Sequence, residues 1–435
     1  MIDHNKVISI KNAEQQKSGE VIIRGWVHRE RGSAQRKFII LRESTGIIQC
    51  VIEKSTVGEE QFNISDKIHV EASMYIQGTV KEDKRSPTGF ELSVKELEIV
   101  GESVDFPITK DQSIELLADN RHLWLRSRKE TAILKIRSTV FGAIHEYFRK
   151  NGFYEFQSPI LQSTQTEGGS TLFSLNYFGK QLYLAQTWQL YAESAIFALE
   201  KIYCIAPSFR AEKSKTSRHL TEYWHAEMEV AWASFEDIQN YGESLIKYIV
   251  SKVLENNLNE LKILERNTSI LQKVIDEPFI RMTYINAIQI LKEKCNIIIE
   301  WGKDLRTFEE DALSQLYGNF IIVTNYPKIV KAFYMKEDEK DNSVVHGCDF
   351  ISPESYGEII GGSERESNIE KIKKRLEEQG ENTEKYKFYL DTRRYGSIPH
   401  SGFGMGVERI ISWICKLENI KDAIAFPRTM MRYQP

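Results

Sequence analysis

The chain has 435 residues, 41% hydrophobic and 28% charged, with a formal net charge of −4. Those values describe a globular protein of two or three domains and exclude a disordered or collagenous chain, as well as a globally basic nucleic-acid binder; a local basic groove stays compatible with them. Five scattered cysteines (Cys50, Cys204, Cys295, Cys348, Cys415) make no CxxC pair, which excludes a zinc ribbon or disulfide scaffold and suits a reducing compartment.

In chain order, the N-terminal MIDHNKVISIKN lacks the apolar core of a signal peptide, and no run reaches membrane-spanning length. The expected location is therefore the cytoplasm, with no membrane partner. Residues 20–100 give five short alternating runs, VIIRGWVHRE, KFIILRES, GIIQCVIEK, KIHVEASMYIQGTV and FELSVKELEIV, separated by turn-rich segments. This pattern predicts a small closed barrel of the OB type over 1–104, and ESVDFPITKDQS begins a linker over 105–127. From Arg128 the period changes to that of a helix, which stops at Asn151-Gly152. Strands are predicted at YEFQSPIL, LYLAQ, KIYCIAPSFRAE, YWHAEMEVAWA, NFIIVTNYP, CDFIS and KFYLDTRRYG. Helices are predicted at 235–265, 283–294, 367–378 and 406–415. Mostly antiparallel strands flanked by helices make residues 128–435 an α+β domain, with a helical insertion at about 251–310.

Three segments carry candidate chemistry. In FRAEKSKTSRHLTEYWHAEMEV (209–230), Arg210 and Glu212 alternate with Phe209 and Ala211 and so share a strand face. Tyr223 on the returning strand offers a ring for stacking on a planar base, and an arginine in a walled cleft stabilises phosphate. Taken alone, the segment fits a solvated surface hairpin equally well. PHSGFGMGVERIISWI (399–414) runs a glycine-rich strand into an amphipathic helix carrying Arg409, with no P-loop GK[ST]. DFISPESYGEIIGGSERE (349–366) carries Asp349 and Glu358, oxygen donors suited to Mg²⁺ beside phosphates.

Together these three segments resemble the signature motifs of the class II aminoacyl-tRNA synthetases. Within that family the chain is most similar to the asparaginyl members of the aspartyl/asparaginyl subgroup, in their archaeal and eukaryote-like form. The long helix ending in GFYEFQSPI with Pro159 resembles motif 1, FRAE…RHLTEY…E motif 2, and GFGMGVER motif 3. The resemblance implies an OB-fold anticodon-binding barrel followed by a class II catalytic domain. It also implies ATP-dependent ligation of asparagine to its tRNA through an asparaginyl-adenylate. Arg210 and Arg409 match the catalytic arginines that grip the triphosphate. Glu212, Arg218, His219, Leu220, Tyr223 and Glu358 complete the implied ATP site, and Asp349 with Glu358 match the Mg²⁺ ligands. Motif 1 implies a homodimer.

For the amino acid, the resemblance assigns Glu167 to the α-amino group, with Gln189, Glu227 and Arg394 as further contacts. Aspartyl members carry a lysine where this chain has Ala192, and an aspartate where it has Glu227. A missing cation and a retained acid favour a carboxamide, whose NH₂ donates to Glu227, over a carboxylate. Trp188 departs from the small residue expected there. On the barrel, Phe38, Gln49 and Glu98 match anticodon contacts, although Phe38 in the barrel core remains open. Arg29, Arg31, Arg36 and Lys37 are candidates for backbone phosphate. The alternatives are an aspartyl or non-discriminating synthetase, a tRNA-independent asparagine synthetase paralogue, and an inactive tRNA-binding protein. Ala192 and Glu227 oppose the first, the barrel the second, and the retained charged groups the third.

Overall fold

The computed structural model describes residues 2–109, 112–166, 171–213 and 216–434. Its contacts divide the chain into two compact units, Met1–Ser113 and Ile114–Pro435.

In the first unit, β1 (Gly19–Gly32), β2 (Arg36–Glu43), β3 (Gly46–Glu53), β4 (Ser73–Glu82) and β5 (Phe90–Gly101) close into a barrel in the order β1-β2-β3-β5-β4. Closure leaves no unpaired edge in a sheet this small. Period-two alternation sorts the side chains. Ile39 and Leu41 fill the interior, while Phe38 and Ile40 stay half-buried on the outer face. The helix Lys54–Ile64 joins β3 to β4 and buries Phe62 in the barrel core.

The second unit holds β6 (Tyr154–Glu155), β7 (Leu161–Gln162), β8 (Ser174–Tyr177), β9 (Lys180–Leu184), β10 (Lys201–Phe209) and β11 (Glu222–Ala231). It continues with β12 (Ile280–Thr283), β13 (Ile321–Pro327), β14 (Val344–Ser352), β15 (Gly357–Glu364) and β16 (His400–Gly406). An eight-stranded sheet runs β12-β13-β14-β15-β16-β11-β10-β6, with β7-β9-β8 as a separate small sheet. Among the described residues, only the two outermost pairs of this sheet, β12 with β13 and β10 with β6, are parallel.

One face of this sheet is covered by helices. The helix Arg128–Lys150 starts at Ser127, whose hydroxyl accepts from the Glu130 N–H at 3.2 Å. It buries Ile133, Ile136, Val140 and Ile144 at helical spacing. The helix Phe235–Asn256 opens with a Ser234/Asp237 capping box. Together with the helix Val407–Cys415 they form one core with Ala226, Met228 and Val230 of β11 and Phe403 and Met405 of β16. The intervening residues of those strands must point to the opposite face, which is where the candidate site lies.

The structure differs from the sequence reading in several places, among them two helices it did not predict, Gln189–Leu199 and Thr307–Leu316. The segment read as a linker carries two short helices, Ile114–Asp119 and Arg121–Trp124, which belong to the second unit. Arg121 anchors them, buried and donating to the carbonyls of Ile424 and Ala425 at 3.0 and 2.9 Å. The segment read as a helical insertion also supplies β12, the edge strand of the main sheet. KFYLDTRRYG forms the helix Lys387–Arg394, because Tyr386, Tyr389, Leu390 and Arg393 bury one helical stripe. Among the described residues, no helix is long and apolar enough to cross a membrane.

Candidate functional site

β10 ends at Phe209, so Arg210 and Glu212 follow the strand rather than sit on it. The hairpin still continues one pair further, because the Arg210 N–H donates to the Thr221 carbonyl at 2.9 Å. Arg210, Glu212, Arg218, His219, Leu220, Tyr223, Glu358 and Arg409 all border one cavity of about 150 Å³. Tyr223 stands beside His225, ring centroids 5.5 Å apart. Arg409 comes from the first turn of its helix, donates to the Glu358 carbonyl at 2.7 Å, and lies 3.7 Å from its carboxylate. On the far side, Arg218 is held by both oxygens of Asp311 at 3.0 and 2.9 Å and by the Ser355 carbonyl. Glu212 lies 3.6 Å from His219 and 3.9 Å from Arg210. Burial, then the Arg409 charge, pushes His219 below the usual histidine value, which favours a neutral ring. Glu310, on the helix Thr307–Leu316, accepts from the Glu358 N–H at 3.3 Å, and burial followed by Glu358 pushes its carboxyl up to about 8.

A second cavity of about 300 Å³ shares Arg210, His225, Glu358 and Gly404 with the first. It exists because β11 alternates: Ala226 and Met228 enter the helix-covered core, while His225, Glu227 and Glu229 line the cavity. Glu227 is 4% exposed; it accepts the Trp188 N–H at 3.0 Å and the Thr187 hydroxyl. Trp188 fits despite its size, because its indole packs against Phe156 and donates to the Phe156 carbonyl at 2.8 Å. Ala192 is wholly buried beneath, in an apolar cluster with Ile196, Ile202 and Cys204. Gln189 borders the cavity, with its amide donating to Glu193 at 2.9 Å.

Two carboxylates converge where the cavities meet. A Cβ added at Gly361 would sit 2.7 Å from Glu358 Oε1 and 3.7 Å from Asp349 Oδ1, so both oxygens lean over the bare backbone of β15. Lys331 donates to the other Asp349 oxygen at 2.6 Å and lies over the Tyr326 ring at 3.9 Å. Burial raises Asp349 above the usual carboxylate value against the pull of Lys331, and Glu358 raises it further. A cation held by these two carboxylates would oppose that shift. Oxygen donors of this kind suit a hard divalent ion.

Arg394 does not reach this cavity. It sits on the outer side of the helix Lys387–Arg394, paired with Asp391 at 2.8 Å, while its neighbour Arg393 turns inward. On a helix, adjacent residues point about 100° apart, so only one of two consecutive arginines can face the site. Besides Arg210, the arginine that borders the cavity is Arg365, which donates to Glu229 at 3.0 and 2.8 Å and to the Ser363 hydroxyl at 2.7 Å. Glu167 lies outside the described residues.

On the barrel, Phe38 lies on the outer face with Arg31 above its ring at 5.1 Å, not in the core. Its β2 neighbour Ile40 pairs with Gln49 of β3, and Gln49 pairs with Glu91 of β5. These residues therefore share one surface, and the Gln49 amide donates to Glu91 at 3.2 Å. Glu98 falls elsewhere, opposite Tyr75 of β4 and 3.1 Å from His4 Nε2. Arg36 and Lys37 are paired with Glu53 and Asp66.

The description tRNA synthetases class II (D, K and N) matches residues 113–430, and OB-fold nucleic acid binding domain matches 21–100. The chain belongs to the class II tRNA synthetases. Asparagine--tRNA ligase of Thermoplasma acidophilum is 46% identical over 416 residues, 96% of each chain. The asparaginyl-tRNA synthetase of Pyrococcus horikoshii complexed with asparaginyl-adenylate superposes with a TM-score of 0.94 at 44% identity, covering 98% of this chain and 99% of that one. The Entamoeba histolytica asparaginyl-tRNA synthetase gives 0.88 at 32% identity, covering 96% and 97%. The catalytic domain presents Arg365 and Lys331, and the barrel Glu91, none of which the sequence reading had singled out. The signal available for Arg365 was its place just past Gly361-Gly362-Ser363-Glu364, in the same segment as Asp349 and Glu358.

Proposed function

We propose that the chain activates asparagine with ATP, forming asparaginyl-adenylate, and transfers the asparaginyl group to the 3′ end of its tRNA. The observation that carries this reading is Glu227, which lies with Arg365 in the wall of the second cavity, while Ala192 brings no cation to that wall and is buried in the apolar cluster that holds Trp188. A carboxamide NH₂ donates to Glu227 and its oxygen accepts from Arg365, so both polar ends are satisfied. An aspartate carboxylate would instead face Glu227 as a like charge. Lys331 does not undo this, because its ammonium is already bound to Asp349.

The chemistry follows from the shared wall. ATP occupies the first cavity, its adenine on Tyr223 and edged by Glu212 and Leu220. Arg409, Arg218 and His219 serve the distal phosphates. Asparagine occupies the second, with Gln189 as a further contact and Glu167 the expected partner of its ammonium. Arg210 borders both cavities and therefore lies where the asparagine carboxylate meets the α-phosphorus. The nucleophile is already ionised, so no general base is required. The barrier lies in bringing two anions together, which fixed guanidinium groups lower by positioning and charge. Asp349 and Glu358 fit Mg²⁺, which when bound neutralises phosphate charge and favours departure of pyrophosphate.

On the barrel, Phe38 stacks an anticodon base while Gln49 and Glu91 read base edges. The enzyme acts in the cytoplasm as a homodimer. Apolar side chains left exposed at Tyr154, Ile160, Leu161 and Phe178 support a covered face beside β6. ATP–pyrophosphate exchange tests the reading: asparagine supports exchange far better than aspartate, and equal rates would overturn the assignment of Glu227.

A further inference from the structure

Behind the wall of the asparagine cavity lies a group of buried charges of which these roles use only Arg365. Glu193, on the helix Gln189–Leu199, is wholly buried. One of its oxygens accepts from the Gln189 amide at 2.9 Å. The other accepts from Arg393 at 2.5 Å and lies 2.9 Å from His400 Nε2. Arg365, which borders the cavity, passes 3.9 Å from Glu193 while Glu229 grips it from the other side. Burial alone would push Glu193 up, but Arg393, His400 and Arg365 together hold it below the usual carboxylate range.

Glu193, Glu229 and His400 converge closely enough to suit a metal ion. Two guanidinium groups already occupy the carboxylates, so the cluster is an ionic lattice rather than a vacant ligand set. Its charges cancel in pairs: Glu193 with Arg393, and Glu229 with Arg365. Only Arg365 of these four ionic groups makes a direct contact with the substrate side chain in the pose proposed above. Glu193 also fixes Gln189, which borders the same cavity.

We infer that Glu193 is a specificity-setting positioning residue, whose buried carboxylate cancels Arg393 and so keeps the wall of the amino-acid cavity neutral, favouring a carboxamide over a carboxylate. The inference rests on the asparagine reading above. Without the Glu193 charge, Arg393 leaves the wall with an excess positive charge that a substrate carboxylate satisfies and a carboxamide does not. Without Arg393 instead, the excess is negative and a carboxylate is repelled. Charges in a dry wall act over such distances because little water screens them.

The test is ATP–pyrophosphate exchange with asparagine and with aspartate, on wild type, Glu193→Gln, Glu193→Asp, Arg393→Gln and the Glu193→Gln/Arg393→Gln pair, each checked for folding by thermal unfolding. Glu193→Gln keeps the shape and removes the charge. It lowers the ratio of kcat/KM for asparagine to that for aspartate by on the order of tenfold. Glu193→Asp keeps the charge and holds the ratio while raising KM. Arg393→Gln leaves the ratio at or above that of wild type, and the double variant returns it toward wild type. Equal losses for both substrates in Glu193→Gln would overturn the inference and leave Glu193 a purely structural group. If Glu193→Gln does not fold, a lowered ratio in Glu193→Asp or Arg393→Gln overturns it just as directly, and a retained ratio in both supports it. The wild-type ratio tests the asparagine reading by itself, so failure of that reading is distinguishable from failure of the inference.

Discussion

Arg210 and Arg409 reach the first cavity from distant parts of the sequence, one following β10 and the other opening the helix after β16. Both side chains are about one-third exposed and neither is part of the core. Replacing either by alanine therefore leaves the unfolding temperature nearly unchanged and lowers asparagine-dependent exchange by at least about a hundredfold, the scale of removing one fixed donor from a developing charge. Near-normal exchange in either variant would contradict the phosphate assignment. Arg394 and Arg365 offer a sharper contrast at the same scale. Arg394→Ala, on the surface, keeps exchange within about twofold of wild type, whereas Arg365→Gln raises the KM for asparagine. The second variant also destabilises, because it leaves Glu229 buried without its partner, a cost of about 3–5 kcal/mol. Arg210 and Arg409, which border one cavity, were singled out in sequence because each stands in a distinctive local string. Arg365 was not, since its meaning depends on Glu229 arriving from β11, which is distant in sequence and adjacent only in the sheet.

At the scale of elements, period two made β11 readable, and the same period put Glu227 and Glu229 on the face opposite Met228. The helix Lys387–Arg394 was misread because its aromatic and β-compatible residues satisfy a strand reading, and only tertiary burial of Tyr389 and Arg393 selects the helix. On the barrel, Glu98 lies further along β5, opposite Tyr75 of β4, whereas Glu91 is the β5 residue that adjoins Gln49. Accordingly Phe38→Ala and Glu91→Gln raise the KM for tRNA while leaving adenylate formation unchanged, measured by charging and exchange in parallel. Unaltered charging in both would remove this face of the barrel from recognition. β14 and β15 carry a pH-dependent link of their own. His346 lies 2.7 Å from Glu364, which also pairs with Lys336, and 3.0 Å from Asp338. The bond to Glu364 raises the His346 value against the opposing effect of burial, and Asp338 adds to it. A raised folded-state value means that the contribution is complete below the unfolded value of about 6.5. It is lost as pH rises through the folded value. The stability difference between wild type and His346→Asn thus shrinks with increasing pH in denaturant unfolding; a difference independent of pH would show that the pairing carries no charge.

The whole molecule divides its work between two units, and the division was legible because their hydrophobic periods differ, alternating before residue 100 and helical after Arg128. The exact boundary was not, because the short helices around Arg121 bond to the C-terminal segment through contacts that no local pattern announces. The account joins a carboxamide-selective cavity in one unit to base-reading residues in the other, and both must act for a correct product. Charging of purified tRNA with labelled asparagine and labelled aspartate in parallel tests that claim most directly. The account predicts efficient attachment of asparagine to the tRNA bearing the asparagine anticodon and little attachment of aspartate. Comparable attachment of both amino acids, or equal charging of tRNAs with unrelated anticodons, would contradict it.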